Sequence, residues 1–363
     1  MKRKKIGLAV IGLMGCFAFT MAGCGGKTAT SVNQQEENSS EETENVNTED
    51  EEMTENREQT VEDLPNQDLT MEETGETQPE LKPEELPTDE NGVVVDCPKD
   101  VYTKRTGMEY GTVEHITYHS ETTGSDRGAN VLLPAGYSTE KKYPVLYFQH
   151  GIFGDEYSMT NDNNNHVKEI FGNLAADGLA REVIVVFTSM FATADPNLKP
   201  GFTAEQMVPY DNFIHDLVND LMPYMEENYS ILTGRENTAV LGFSMGGRES
   251  LYIGVTRPDL FAYTGAISPA PGLTPGRDWA MEHVGQMQED ELKITDTENL
   301  PKLLMVCCGS KDSVVGAFPK SYHEIMERNG VDHMWYEIPG ADHDNQAIRS
   351  GIYNFMIRWP EAE

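Results

Sequence analysis

Residues 238–247, Thr-Ala-Val-Leu-Gly-Phe-Ser-Met-Gly-Gly, constrain this chain more than any other stretch. They read as a short apolar strand that turns at Ser244 into a helix continued by Arg248-Glu249-Ser250-Leu251-Tyr252-Ile253. The glycines of Gly242-Phe243-Ser244-Met245-Gly246 suit such a turn, because strand, turn and helix pack too closely there for Cβ atoms. A serine on that turn stands at the end of a strand. The helix N-terminus behind it aims backbone N–H groups and partial positive charge at any developing oxyanion. Taken alone the pattern is weak, since glycine and serine are common residues. Its weight comes from partners that follow in the right order.

The N-terminal quarter is a different material. Lys2-Arg3-Lys4-Lys5 is basic, and Ile6 to Met21 is apolar but too short and glycine-interrupted for a membrane span. Met21-Ala22-Gly23-Cys24 then resembles the lipobox of bacterial lipoproteins, with Met21 where Leu is commoner. The resemblance implies that residues 1–24 are a signal peptide and that Cys24 is lipidated, anchoring the protein to a membrane. An ordinary secretory signal with an incidental cysteine is the alternative, and either reading exports the protein.

Residues 25–95 read as a tether. Between 28 and 92 there are 22 Asp and Glu against Arg57 and Lys82, and no aromatic residue. Such a segment cannot bury enough apolar area to offset the entropy of ordering, and its charges repel. It carries −20 of the formal −34. The remainder, 96–363, is still strongly acidic, which excludes a nucleic-acid footprint and disfavours a polyanionic substrate. It is long enough for one α/β domain with a full core. Cys97, Cys307 and Cys308 are too few and too irregularly spaced for a disulfide framework, and no CxxC or His-x-x-x-His spacing suggests a metal. No metal or cofactor is expected.

In the catalytic part, strands alternate with helical stretches, the pattern of a mostly parallel central sheet with helices on both faces. Val113 to His119 and Ala129 to Leu133 are expected as an antiparallel leading pair, followed by buried strands at Tyr143 to Gln149 and Val183 to Thr188. Helices are expected over His166 to Gly178, Tyr210 to Tyr229 and Gln346 to Trp359. In the second of these Phe213, Leu217, Leu221 and Tyr224 share one face, and the acidic opposite side reads as solvated.

A serine nucleophile in this architecture needs a carboxylate and then a histidine, in that chain order, each just past a strand. Asp312 follows the apolar run Leu303 to Cys308, and His343 lies in the loop after Met334 to Ile338. His343 is then the base, Asp312 fixes its tautomer, and the N–H groups of Ile152 and Met245 form the oxyanion hole. Asp342 and Asp344 flank His343, but adjacent side chains in a loop rarely face each other. His150 is expected to brace the oxyanion loop, His323 and His333 to lie at the surface, and His215 to pack on its helix.

From about 110 to 359 the chain resembles the esterase group of α/β-hydrolases that includes carbohydrate esterase family one (feruloyl and acetylxylan esterases), esterase D, enterochelin esterases and mycolyltransferases. The carrying motifs are Leu133-Pro134-Ala135-Gly136-Tyr137, Tyr143-Pro144-Val145-Leu146-Tyr147, His150-Gly151-Ile152-Phe153-Gly154-Asp155-Glu156, Arg235-Glu236-Asn237, Gly242 to Gly247, Arg257-Pro258-Asp259-Leu260-Phe261 and the His343 loop. The resemblance implies an α/β-hydrolase fold, a triad on Ser244, Asp312 and His343, and oxyanion donors on Ile152 and Met245. Phe153 departs from the family, where glycine is common, and its ring is expected to narrow or line the acyl pocket.

Export disfavours a cytosolic thioester and favours feruloyl or acetyl esters on plant xylan or its oligosaccharides. Gly272 to Glu291, with Trp279, interrupts the sheet pattern and reads either as a lid or aromatic platform or as a plain surface excursion. An acyltransferase on the same acyl-enzyme, an esterase D-like hydrolase and a non-catalytic binding lipoprotein are the rival readings.

Overall fold

A computed structural model describes residues 95–359; residues 1–94, on which the signal-peptide, Cys24 lipidation and tether expectations fall, lie outside the described residues. The sheet opens with β1 (Thr112–Ser120) and β2 (Ser125–Leu133), paired antiparallel. It continues through β3 (Val145–Gln149), β4 (Ile184–Thr188), β5 (Thr238–Phe243) and β6 (Tyr263–Ile267). β7 (Gly276–Arg277) and β8 (Glu282–His283) form a separate small hairpin, and β9 (Leu303–Gly309) and β10 (Met334–Ile338) complete the main sheet. Its eight strands run in the order β1-β2-β4-β3-β5-β6-β9-β10. β2 meets β4 antiparallel, and every later pairing is parallel.

Strand periodicity sorts the core. In β3, Leu146 and Phe148 face one cluster while Val145 and Tyr147 face another, as a strand covered on both sides requires. The first face is closed by α1 (Lys99–Tyr102), α3 (Val167–Ala176) and α9 (Asn345–Met356), through Val101, Ile170, Leu174, Ile352 and Phe355; α2 (Ser158–Asn161) precedes α3 in the chain. The second is closed by α4 (Ala204–Asp211), α5 (Phe213–Asp216), α6 (Met222–Asn228), α7 (Met245–Thr256) and α8 (Phe318–Arg328). Phe148 and Phe355 are fully buried, and truncating either to alanine would cost ~3–5 kcal/mol.

The helix expected over 210–229 differs in two ways. It starts earlier, at Ala204, where Thr203 and Gln206 form a capping box, and it is interrupted at Asn212 and widened to a π turn over Leu217–Leu221. Pro223 has no N–H to give to a preceding carbonyl, which favours a local break in the regular ladder. The acidic side is solvated at Glu226 and Glu227 but not at Asp216 and Asp220. Asp216 accepts Tyr118 Oη at 2.7 Å and Arg127 Nε at 3.1 Å, and Asp220 accepts the N–H groups of Glu121 at 3.2 Å and Thr122 at 3.1 Å. Both carboxylates are buried because they satisfy the β1–β2 hairpin, a contact about a hundred residues away in sequence. His215, expected to pack, is exposed on α5.

Candidate active site

Ser244, Asp312, His343 and the Ile152 loop each follow the C-terminal end of a parallel strand, where open α/β sheets build their sites. Ser244 joins β5 to α7 at φ 58 and ψ −116, a backbone conformation that L-residues avoid. Close packing holds it there. Its N–H donates to Ile267 O at 2.9 Å, and its own carbonyl accepts from Arg248 N at 3.0 Å and Ala270 N at 2.9 Å. A Cβ on Gly246 would collide with the carbonyl of Gln149, and one on Gly242 with the carbonyl of Gly246. Only glycine lets strand and helix approach this closely.

The loop after β3 lies against the serine. A Cβ built on Gly151 would stand 3.4 Å from Ser244 Cβ and 3.8 Å from its Oγ, which puts the Gly151-Ile152 segment beside the hydroxyl. His150 braces this loop from inside: Met190 N–H donates to Nε2 at 3.1 Å, so Nδ1 carries the proton and donates to Gly151 O at 2.6 Å. Burial pushes the His150 imidazole down to about 4, so the ring is neutral. The N–H of Met245, first residue of α7, is among the donors a helix start leaves without an intrahelical partner.

His343 Nδ1 and Asp312 Oδ2 are 2.9 Å apart, and the imidazole packs on Phe243, the residue before Ser244, with ring centroids 4.4 Å apart. The other oxygen of Asp312 accepts Val314 N at 3.1 Å and Val315 N at 3.0 Å. Burial alone would raise this carboxyl; the bond to His343, its positive charge when protonated and the Val315 N–H outweigh that and hold it below the usual carboxylate range. Asp342 is turned elsewhere. It accepts Ser313 N at 2.7 Å, Ser313 Oγ at 3.0 Å and the backbone N–H of His343 at 2.8 Å, while Asp344 caps α9 through Gln346 N and Ala347 N.

This arrangement can attack an acyl carbon, shuttle a proton and hold an oxyanion. The profile of the family described as "Putative esterase" matches residues 120–344. The chain belongs to this family. A ferulic acid esterase from Anaeromyces mucronatus, solved with ferulic acid, is 50% identical; the match covers 72% of this chain and 96% of that one at a TM-score of 0.69. A xylanase/feruloyl esterase of Xylanibacter ruminicola is 31% identical over 227 residues, 60% of this chain and 27% of that protein. Xylanase Y of Acetivibrio thermocellus is 28% identical over 147 residues, 38% of this chain and 12% of that protein. The chain thus spans about a quarter or less of the length of these curated relatives.

The fold is that of the α/β-hydrolases, and an aromatic row starts at Phe153 on the oxyanion loop. Phe153, at φ 65 and 56% exposed, meets Phe202 edge-on at 5.2 Å, and Phe202 meets Trp279 at 5.2 Å. The positive φ of Phe153 is the backbone reason a glycine would suit that position. Phe202 has no periodicity signal: it precedes the cap of α4 in a Pro- and Gly-flanked loop. Trp279 lies on the turn between β7 and β8, so Gly272 to Glu291 is a hairpin-bearing arm. A groove of about 470 Å³ runs between this arm and the Asp312 loop, lined by Arg277, Trp279, Ser313, Val314 and Phe318. Of the remaining histidines, His323 and His333 are bonded to each other at 2.8 Å, and His323 stacks on Trp335. Among the described residues no cluster suited to a metal ion occurs.

Proposed function

We propose that this chain is a serine carboxylic-ester hydrolase that removes feruloyl or acetyl groups from plant cell-wall xylan or its oligosaccharides, with the feruloyl ester as the better substrate. The observation that carries the chemistry is the Asp312–His343 hydrogen bond set beside a strained Ser244. Ser244 Oγ attacks the ester carbonyl while His343 takes its proton. Asp312, held ionised, stabilises the imidazolium. The oxyanion is held by the N–H groups of Ile152 and Met245, each such donor contributing ~3 kcal/mol to the transition state. His343 then protonates the departing sugar oxygen, and water, deprotonated by the same imidazole, releases the acid and restores Ser244.

Two things support the aromatic acyl group. The Phe153–Phe202–Trp279 row offers flat apolar faces starting at the oxyanion loop, and relatives carry feruloyl or ferulic acid esterase in their names. Aromatic stacking contributes ~0.5–1.5 kcal/mol per pair beyond area burial, enough to separate ferulate from acetate. Steady-state hydrolysis of methyl ferulate, acetylated xylan and 4-nitrophenyl acetate tests the reading. Failure to cleave any ester, or full activity in Ser244→Ala, would sink it. The lipobox-like residues 21–24 support export and anchoring through Cys24. Cys24→Ser should then move the protein from the membrane fraction to the medium or periplasm.

A further inference from the structure

The residues directly behind the nucleophile form a buried ionic knot that takes no part in the proposed chemistry. Arg248, 1% exposed on the first turn of α7, places Nη2 at 2.6 Å from Asp211 Oδ1 and at 2.6 Å from Glu249 Oε1, with Nε a further 2.9 Å from the same glutamate oxygen. Glu249, fully buried, accepts Gln286 Nε2 on its other oxygen at 2.8 Å. Gly272 lies at φ 102 against this knot, where a Cβ would stand 2.9 Å from both Arg248 Nη1 and His283 Nδ1. His283 Nε2 in turn is 3.1 Å from Asp278 Oδ2, and Asp278 Oδ1 accepts the N–H groups of Ala280 at 2.8 Å and Met281 at 2.7 Å.

Each spoke leads to one arm of the aromatic row. Asp211 is the last residue of α4, and Phe202 immediately precedes the capping box that starts that helix. Gln286 and His283 belong to the arm that carries Trp279, and Asp278 shapes the very turn on which Trp279 stands. A buried guanidinium with two carboxylates is costly to desolvate and is weak as a source of stability. Its fork geometry is suited to holding several elements at one set of distances.

We infer that Arg248 and Glu249 are positioning residues that set the spacing between Phe202 and Trp279, and so the selectivity of the site for an aromatic over a small acyl group. This rests on the esterase reading given above. Because the spokes are peripheral while the hub lies under Ser244, cutting a spoke moves the row and leaves the nucleophile in place.

The test uses the whole protein with Gln286→Ala and Asp211→Ala, the latter at a half-buried site that tolerates truncation. For Gln286→Ala, KM for methyl ferulate should rise about tenfold while kcat/KM for 4-nitrophenyl acetate stays within about twofold. Amides of residues 276–283 should exchange faster than in wild type, with those of α7 unchanged. Asp211→Ala, which removes the acceptor for Arg248, should repeat the KM effect. Parallel losses on both esters, or unchanged exchange in the arm, would overturn the inference. A wild type that spares methyl ferulate would instead defeat the substrate reading, and the exchange measurement would still decide the positioning role.

Discussion

Asp342 grips Ser313, accepting its N–H at 2.7 Å and its hydroxyl at 3.0 Å, so the carboxylate beside the histidine in sequence ties down the loop of the carboxylate that faces it in space. The two acids therefore hold different offices. Asp312→Asn should lower kcat about 10³–10⁴-fold, because the amide favours the wrong imidazole tautomer. Asp342→Asn, which keeps an acceptor for Ser313, should cost less than about tenfold. Kinetics of the two variants on one ester checks the assignment; equal losses would refute it.

Ser244→Ala should abolish turnover, with kcat down about 10⁵-fold, while far-ultraviolet dichroism and Tm stay close to wild type. The variant should retain ferulate binding, visible as quenching of tryptophan fluorescence. Residual turnover at a tenth of wild type would point to a different nucleophile.

Gly246→Ala should fail through the backbone rather than the chemistry. A methyl group there meets the Gln149 carbonyl, which is fixed in the sheet. The strand–helix contact must open, at a cost above ~3 kcal/mol. Soluble yield and urea midpoint report it; an unchanged midpoint would show that the elbow is looser than the packing implies.

His150 makes a pH prediction. The unfolded imidazole binds its proton near 6.5, the folded one only near 4 because burial disfavours the cation. Stability tied to this group is fully present above about pH 6.5 and is lost as pH falls toward 4, with a slope approaching ~1.4 kcal/mol per pH unit. Glu249, pushed up to about 7 by burial, has the opposite slope over overlapping pH. The comparison is thus between wild type and His150→Gln: in urea unfolding from pH 7 down to 4, the stability of the variant relative to wild type should rise as pH falls.

Trp279→Ala and Phe202→Ala should each raise KM for methyl ferulate about tenfold, since each removes one ring face from the row. Hydrolysis of 4-nitrophenyl acetate should change by less than about twofold. A matching loss on the acetate ester would mean the rings act on the nucleophile rather than on the acyl group.

The elbow, the order Ser244, Asp312, His343 and the parallel sheet were legible in the sequence because they are local. Buried strands announce themselves as apolar runs, and a strand-to-helix turn that must exclude Cβ atoms needs its glycines at fixed offsets. What faces what was decided only by the tertiary structure. The acid is the exception: Asp312 was preferred to Asp342 from the sequence, because adjacent loop side chains rarely face each other, and in the fold it reaches the imidazole. Asp216 and Asp220 looked solvated because helical periodicity says nothing of a hairpin folding over the polar side. Phe202 joins Phe153 and Trp279, and Arg248 joins Asp211 and Glu249, across separations that no local pattern encodes. Sequence periodicity reports each residue's own backbone; contacts between distant segments exist only once the chain has closed.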